Sequence, residues 1–259
     1  MNIVVIGTGM YSTGRGTDSY GTILPGIIEW QRNFSCLGEV CFVGTNGNNS
    51  ASLKAKSETL MADTGVNIDV SFMPKSGTID ANCYKKVISQ IARPACAIIV
   101  VPDHLHFQVA KDCLNSDLPV LLVKPLTPSL KEAKLLVDLA ENRSLYASVE
   151  FHKRYDKANL MLKDRLQSKK LGDPLYFWVE YSQRKSIPTK IFKEWVEKTS
   201  ILQYLGVHYI DIVRFVTNAM PIRVMALGQK NWLPSQGLDA YDSIQSLSLI
   251  HISEPTRRS

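Results

Sequence analysis

No apolar run among the 259 residues reaches the roughly 18 that a membrane-spanning helix needs, so a helical membrane protein is not indicated. The chain enters Ile3-Val4-Val5-Ile6 with no basic n-region, apolar h-region or cleavage site ahead of it, and no secretory leader is expected. Its five cysteines form no CxxC pair, and four of them sit in apolar surroundings. That pattern points to reduced core thiols, to the cytoplasm and to no metal site. Neither sign of charge dominates: 30 basic residues against 24 acidic ones give a formal charge of +6, spread along the chain. A solvated surface accounts for this, an anionic ligand is the second reading, and nucleic acid is not expected as a partner. Internal repeats and low-complexity segments are also lacking.

What the chain does have is a rhythm. Short apolar, β-branched runs at 3–6, 40–43, 97–101, 120–123 and 145–149 each read as a strand buried on both faces. Between them, segments 52–64, 84–91, 106–115 and 129–142 have helical period, and Ser129 is placed to cap the last. Alternating β and α elements predict a doubly wound parallel sheet, with ligands beyond the carboxyl ends of its strands. After about residue 150 the rhythm changes. Segment 175–183 alternates like a half-buried antiparallel strand, 201–217 is helical, and 222–229 reads as another strand. The expected organisation is thus a nucleotide-binding domain over 1–150 and an incomplete α+β open-sheet domain over 151–246. The last segment, 247–259, looks like the translation of a sequencing adapter, so it is expected to be non-native, and His251 and Glu254 are given no functional meaning.

Gly7-Thr8-Gly9-Met10 follows the first strand, where glycine lets the backbone turn and lets a dinucleotide pyrophosphate approach exposed N–H groups. Ser12 stands where a third glycine would fall, so the loop departs from G-x-G-x-x-G. Arg15 pairs with a phosphate in one reading and is a solvated loop residue in the other. The second strand ends in Gly44-Thr45-Asn46-Gly47 rather than in an acid. With no carboxylate to repel a 2'-phosphate, and with Thr45 and Asn46 able to bond one, NADP is favoured over NAD; the alternative is that these residues only make a turn. Two further segments belong to the same rim, Pro102-Asp103-His104-Leu105-His106 and Lys124-Pro125. Lys124, held by a proline at a buried strand end, is a catalytic candidate, and Pro102, His104 and His106 are cofactor-binding candidates.

These segments, with Gly206-Val207-His208-Tyr209-Ile210-Asp211, give the chain a resemblance to the Gfo/Idh/MocA oxidoreductases from Asn2 to about Gln245. Lys124-Pro125 resembles that family's E-K-P motif and 206–211 its G-x-H-x-x-D helix. The resemblance implies a Rossmann domain and an open-sheet domain, hydride transfer between NAD(P) and a sugar, inositol or related polyol, and a homo-oligomer. It also implies that Lys124 moves the proton of the reacting oxygen and that His208 binds or protonates the substrate. Burial beside a positive nicotinamide would lower a lysine's pKa towards working pH. Two departures stand out: Val123 replaces the motif's Glu, and Tyr204 replaces the Asp often found four residues before the histidine. Tyr204 either shares the catalytic face at i, i+4 or packs in the core. His152 and Arg154 belong to a polar stretch that suits a hydroxyl-rich ligand or a solvated linker. Arg184 suits an anionic group or a surface cluster. The alternative function is a non-catalytic NAD(P)-binding sensor, which needs the glycine loop but no proton-transfer pair.

Overall fold

The computed structural model describes residues 1–251, the last of them by its backbone alone; Glu254 and the rest of the tail lie outside the described residues. The chain divides into two compact units, Met1–Glu150 and a second that begins at Phe151.

The first unit is built on six parallel strands: β1 (Asn2–Ile6), β2 (Glu39–Val43), β3 (Asp69–Met73), β4 (Ala95–Ile99), β5 (Val120–Val123) and β6 (Ala147–Glu150). Their spatial order is β3-β2-β1-β4-β5-β6, so the winding reverses between β1 and β4. Successive residues of a strand point to opposite faces, which turns each continuous apolar run into two half-cores. Val4, Ile6, Cys41, Val43, Ala97, Ile99, Val120 and Leu122 share one cluster with α4 (Cys83–Gln90), α5 (His106–Asn115) and α6 (Leu130–Asn142). Ile3, Val5, Val40, Phe42 and Ile98 share the other with α2 (Ile23–Phe34) and Leu60 of α3 (Ser50–Thr64). The α2 helix buries Ile23, Leu24, Ile27 and Ile28, a single stripe of a 3.6-residue period. Truncating the fully buried Leu24 to alanine would cost about 2–5 kcal/mol. Ser129 caps α6, its hydroxyl accepting from the Glu132 N–H at 3.5 Å.

Sequence and structure differ here in several places. The run at 145–149, expected to be buried on both faces, forms β6 over Ala147–Glu150 at a sheet edge, with none of its residues fully buried. The fourth strand stops at Ile99 rather than Val101, because Val101 already belongs to the bend that turns into Pro102. The strand β3 was not expected: it sits at the sheet edge, and Asp69 and Ser71 interrupt the apolar run that marks its neighbours. Ser71 bonds Glu39 of β2 at 2.8 Å, as an edge exposed to water permits.

In the second unit a 3-10 turn (His152–Tyr155) leads into α7 (Lys157–Gln167), and α7 packs on α8 (Val207–Thr217). Two antiparallel strands, β7 (Met220–Gln229) and β8 (Ser243–His251), flank the short α9 (Trp232–Ser235). Residues 247–251 pair with 220–225 in this ladder. Two expectations are corrected. Segment 175–183 is not a strand: alternation supplies a pattern but not a partner, and Leu175 and Trp178 stand 95% and 82% exposed. The stretch 201–217 is not one α-helix, because Leu202–Gly206 is wound as a π-turn before α8 begins at Val207.

Candidate active site

At the carboxyl end of β1 the chain turns through Gly7 into α1 (Met10–Thr13). Gly7 has φ +112, and a Cβ there would lie 2.0 Å from the Val100 carbonyl oxygen. Only glycine satisfies both the angle and the space. Gly9 is the N-cap residue of α1, and a Cβ built on it meets nothing within 4 Å. No side chain caps that first turn, which starts beside the switch between β1 and β4. Met10, the first helical residue, is exposed at this mouth, and Thr8 is buried beneath it. Ser12 is fully buried, its hydroxyl without a hydrogen-bond partner among the described residues. After one turn the chain leaves the helix for a loop. Lys56 of α3 fastens that loop, donating to the carbonyls of Gly14 and Thr17 at 2.7 Å each. Arg15 lies exposed on this loop.

Gly44, after β2, is also set by contact: a Cβ there would lie 2.6 Å from Thr8 Oγ1. Thr45 is exposed beside it. The Asn46 carboxamide oxygen accepts from the Asn48 N–H at 2.9 Å and caps the 3-10 turn Gly47–Asn49, so that atom serves the turn.

Pro102 opens the 3-10 turn Asp103–Leu105, which carries half-buried His104. His106, at the start of α5, is 0% exposed and bridges two backbone segments. Its Nδ1 lies 2.6 Å from the Pro125 carbonyl oxygen and its Nε2 lies 2.9 Å from that of Val101. Carbonyls only accept; a neutral ring donates to one of them and a doubly protonated ring to both. The histidine expected to meet the cofactor is thus a brace between the end of the β4 segment and the Lys124-Pro125 turn, whose peptide bond is cis.

Sequence reasoning missed a contact at this rim. The Tyr11 hydroxyl donates to Glu150 Oε1 at 3.1 Å, linking α1 to the end of β6 across 139 residues of sequence. Glu150 is the register partner of Val123, the residue immediately before Lys124. The available signal was an acid directly after the apolar run 145–149.

In the second unit, His208 is buried on α8 and meets His152 edge-on, ring centroids 4.8 Å apart. Phe151 approaches the same ring at 6.2 Å. Arg154 is held elsewhere, its Nε and Nη2 on Asp211 at 2.7 and 2.5 Å. These bonds to the carboxylate raise the guanidinium's pKa further. Tyr204 lies in the π-turn, where the α-helical i, i+4 argument does not apply, and its ring packs on Phe192 at 4.6 Å and Trp195 at 6.3 Å. Arg184 is exposed just before the π-turn Ile187–Ile191, and the neighbouring Lys185 ammonium stands 4.3 Å from the centre of the Trp232 ring. The structure therefore brings His152 and His208 together, holds Arg154 on Asp211 and leaves Arg184 exposed. Among the described residues no cluster of three or more His, Cys, Asp or Glu could hold a metal ion.

A doubly wound sheet with a glycine turn at its switch point defines the class, a dinucleotide-binding α/β domain followed by a smaller α+β unit. Residues 1–151 match the family model described as an oxidoreductase family with an NAD-binding Rossmann fold, and residues 159–245 match the GFO/IDH/MocA C-terminal domain. The chain belongs to the Gfo/Idh/MocA oxidoreductase family. It is 30% identical over 145 residues to glucose-6-phosphate 3-dehydrogenase of Bacillus subtilis, covering 54% of this chain and 41% of that protein. It is 28% identical over 151 residues to inositol 2-dehydrogenase of Rubrobacter xylanophilus, covering 58% and 42%. The scyllo-inositol dehydrogenase of Lactobacillus casei, solved with NAD(H) and scyllo-inositol, superposes with a TM-score of 0.64 at 17% identity, covering 96% of this chain and 66% of that one. At that identity the likeness is one of fold. The chain spans less than half the length of these two relatives and less than two thirds of that structure.

Proposed function

We propose that this chain belongs to an NAD(P)-dependent dehydrogenase that oxidises or forms a hydroxyl-bearing carbon of a sugar, polyol or similar substrate. The observation that carries the reading is the meeting, at one rim of one sheet, of an uncapped glycine turn with room in front of Gly9 and of Lys124 at the end of β5. Gly7, Gly9 and Thr8 would hold the pyrophosphate, with Met10 and Pro102 at the mouth. Exposed Thr45 and the absence of an acid at 44–47 support NADP over NAD.

A nicotinamide held there would supply or accept the hydride. In the oxidising direction Lys124 hydrogen-bonds the substrate hydroxyl and takes its proton as the carbonyl forms; in the reducing direction it returns that proton. His106 holds the Pro125 carbonyl, one residue after Lys124, and so steadies the turn that carries the lysine. Glu150 supplies a carboxylate next to Val123, the position where the family motif has its Glu, and Tyr11 orients it. In the second unit, the His152–His208 pair binds the substrate's other hydroxyls or donates a proton to them. Tyr204, within its aromatic packing, shapes that wall. The exposed apolar residues Ile222, Val224 and Leu227 of β7 support self-association through the open sheet. The cysteine pattern supports a cytoplasmic setting.

The test is a fluorescence titration with NADPH and NADH, followed by a panel of sugars, polyols and nucleotide sugars read by nicotinamide absorbance. The expected result is tighter binding of NADPH and turnover that Lys124→Ala abolishes. Failure to bind either cofactor, or turnover unchanged in Lys124→Ala, would sink the proposal.

A further inference from the structure

Away from the histidine pair, the second unit holds a charged cleft that the proposed reaction does not use. Arg154 from the 3-10 turn, Lys163 from α7, and Arg214, Phe215 and Asn218 from the end of α8 line a space of about 250 Å³. Lys163 Nζ stands 3.7 Å from the centre of the Phe215 ring, and the Arg154 guanidinium carbon stands 5.5 Å from it. Such cation–aromatic contacts hold long side chains in place without neutralising them. Arg214 is six residues beyond His208, about 9 Å along the helix axis at 1.5 Å per residue.

The charge balance gives the cleft its sign. Asp211 is the carboxylate that pairs with Arg154, and it engages Nε and Nη2, leaving Nη1 outside the pair. Among the described residues, neither Lys163 nor Arg214 forms an ion pair with a carboxylate. Two positive charges therefore remain uncompensated on one small concavity. The end of α8 opposes them with a partial charge of only about half a unit. An occupant must be anionic, and it must be small, because the space lies below the roughly 300–1,000 Å³ typical of sites for drug-sized ligands. Two guanidinium groups and one ammonium, arriving from three elements, suit a tetrahedral oxyanion with several acceptor oxygens better than a flat carboxylate.

We infer that the cleft formed by Arg154, Lys163, Arg214, Phe215 and Asn218 is a binding site for phosphate, either free or as the monoester of a small molecule. It is separate from the cofactor's pyrophosphate site, which lies in the first unit.

The test uses the whole chain and isothermal titration calorimetry. Sodium phosphate is titrated at an ionic strength held constant with sodium chloride, alongside glucose 6-phosphate as a probe monoester. Saturable binding is expected for wild type, weakened about ten-fold or more in the Lys163→Gln/Arg214→Gln double variant, with the NADPH titration unchanged. A preference for glucose 6-phosphate over inorganic phosphate identifies a monoester ligand; the opposite preference identifies free phosphate. Should circular dichroism show the double variant unfolded, Arg214→Gln alone, on an exposed side chain, is expected to lose about three-fold or more. Non-saturable heats in wild type, or a folded variant that binds phosphate as wild type does, overturns the proposal.

Discussion

Replacing His106 by leucine tests the brace between the β4 segment and the Lys124-Pro125 turn. Leucine fills much of the space of the ring but donates nothing, so the carbonyls of Pro125 and Val101 lose the single donor of a neutral ring or both donors of a doubly protonated one. The first contact is buried and the second only partly so. An unsatisfied buried group costs about 1–3 kcal/mol and a partly solvated one about 1 kcal/mol, so the loss is about 1–3 kcal/mol for one donor and up to about 4 kcal/mol for two. In a unit of this size each kcal/mol lowers Tm by about 2–4 °C, so thermal unfolding should shift down by at least about 2 °C and by up to about 16 °C. His106→Gln, which keeps one donor, should recover part of the loss. If Lys124 depends on this brace, kcat should fall in His106→Leu more than cofactor affinity does. A Tm within about 2 °C of wild type would show that the two carbonyls find other donors, and the bracing role would be refuted.

Three further outcomes follow from the geometry. Gly7→Ala drives a Cβ into the Val100 carbonyl at a positive φ, so it should lower stability by about 2 kcal/mol or more and abolish cofactor binding, read by urea unfolding and NADPH fluorescence. Burial alone would raise the Asp242 carboxyl, but N–H donors of Leu233, Asn231 and Trp232 hold it below its ordinary value of 3.8. Its stabilisation is present above that pH and lost as pH falls through the lower folded value, so Asp242→Asn should reduce Tm at pH 7, and the gap from wild type should narrow as pH is taken progressively below 3.8. Among the cysteines, burial pushes the Cys113 thiol up to about 12, whereas Cys36 is exposed. A thiol reagent at pH 8 should label Cys36 in the native chain and Cys113 only after unfolding.

How far the sequence could be read followed from where each signal resides. The strands β1 and β2 are buried on both faces, and that burial writes itself as an unbroken apolar run. At the edge, β3 has water on one side, and the same rule hides it. Segment 175–183 shows the converse error, since alternation records an amphipathic habit whether or not another strand is there to accept its hydrogen bonds. The position of Lys124 just past a strand was legible because an apolar run and a proline mark that end locally. The role of His106 was not, because its partners are main-chain carbonyls, one of them 19 residues away, and any residue has a carbonyl. Tyr11 and Glu150 meet only once the sheet order is known. Likewise, the i, i+4 argument for Tyr204 assumed an α-helix that the π-turn replaces.

The tight approach of Gly44 to Thr8 has a practical corollary for anyone wishing to re-engineer nucleotide preference. An acidic side chain introduced at 44 would collide with the floor of the glycine turn before it could reach a ribose, so that substitution would disable the pocket rather than retune it. Position 45, already open to solvent, accepts a carboxylate without disturbing its neighbours.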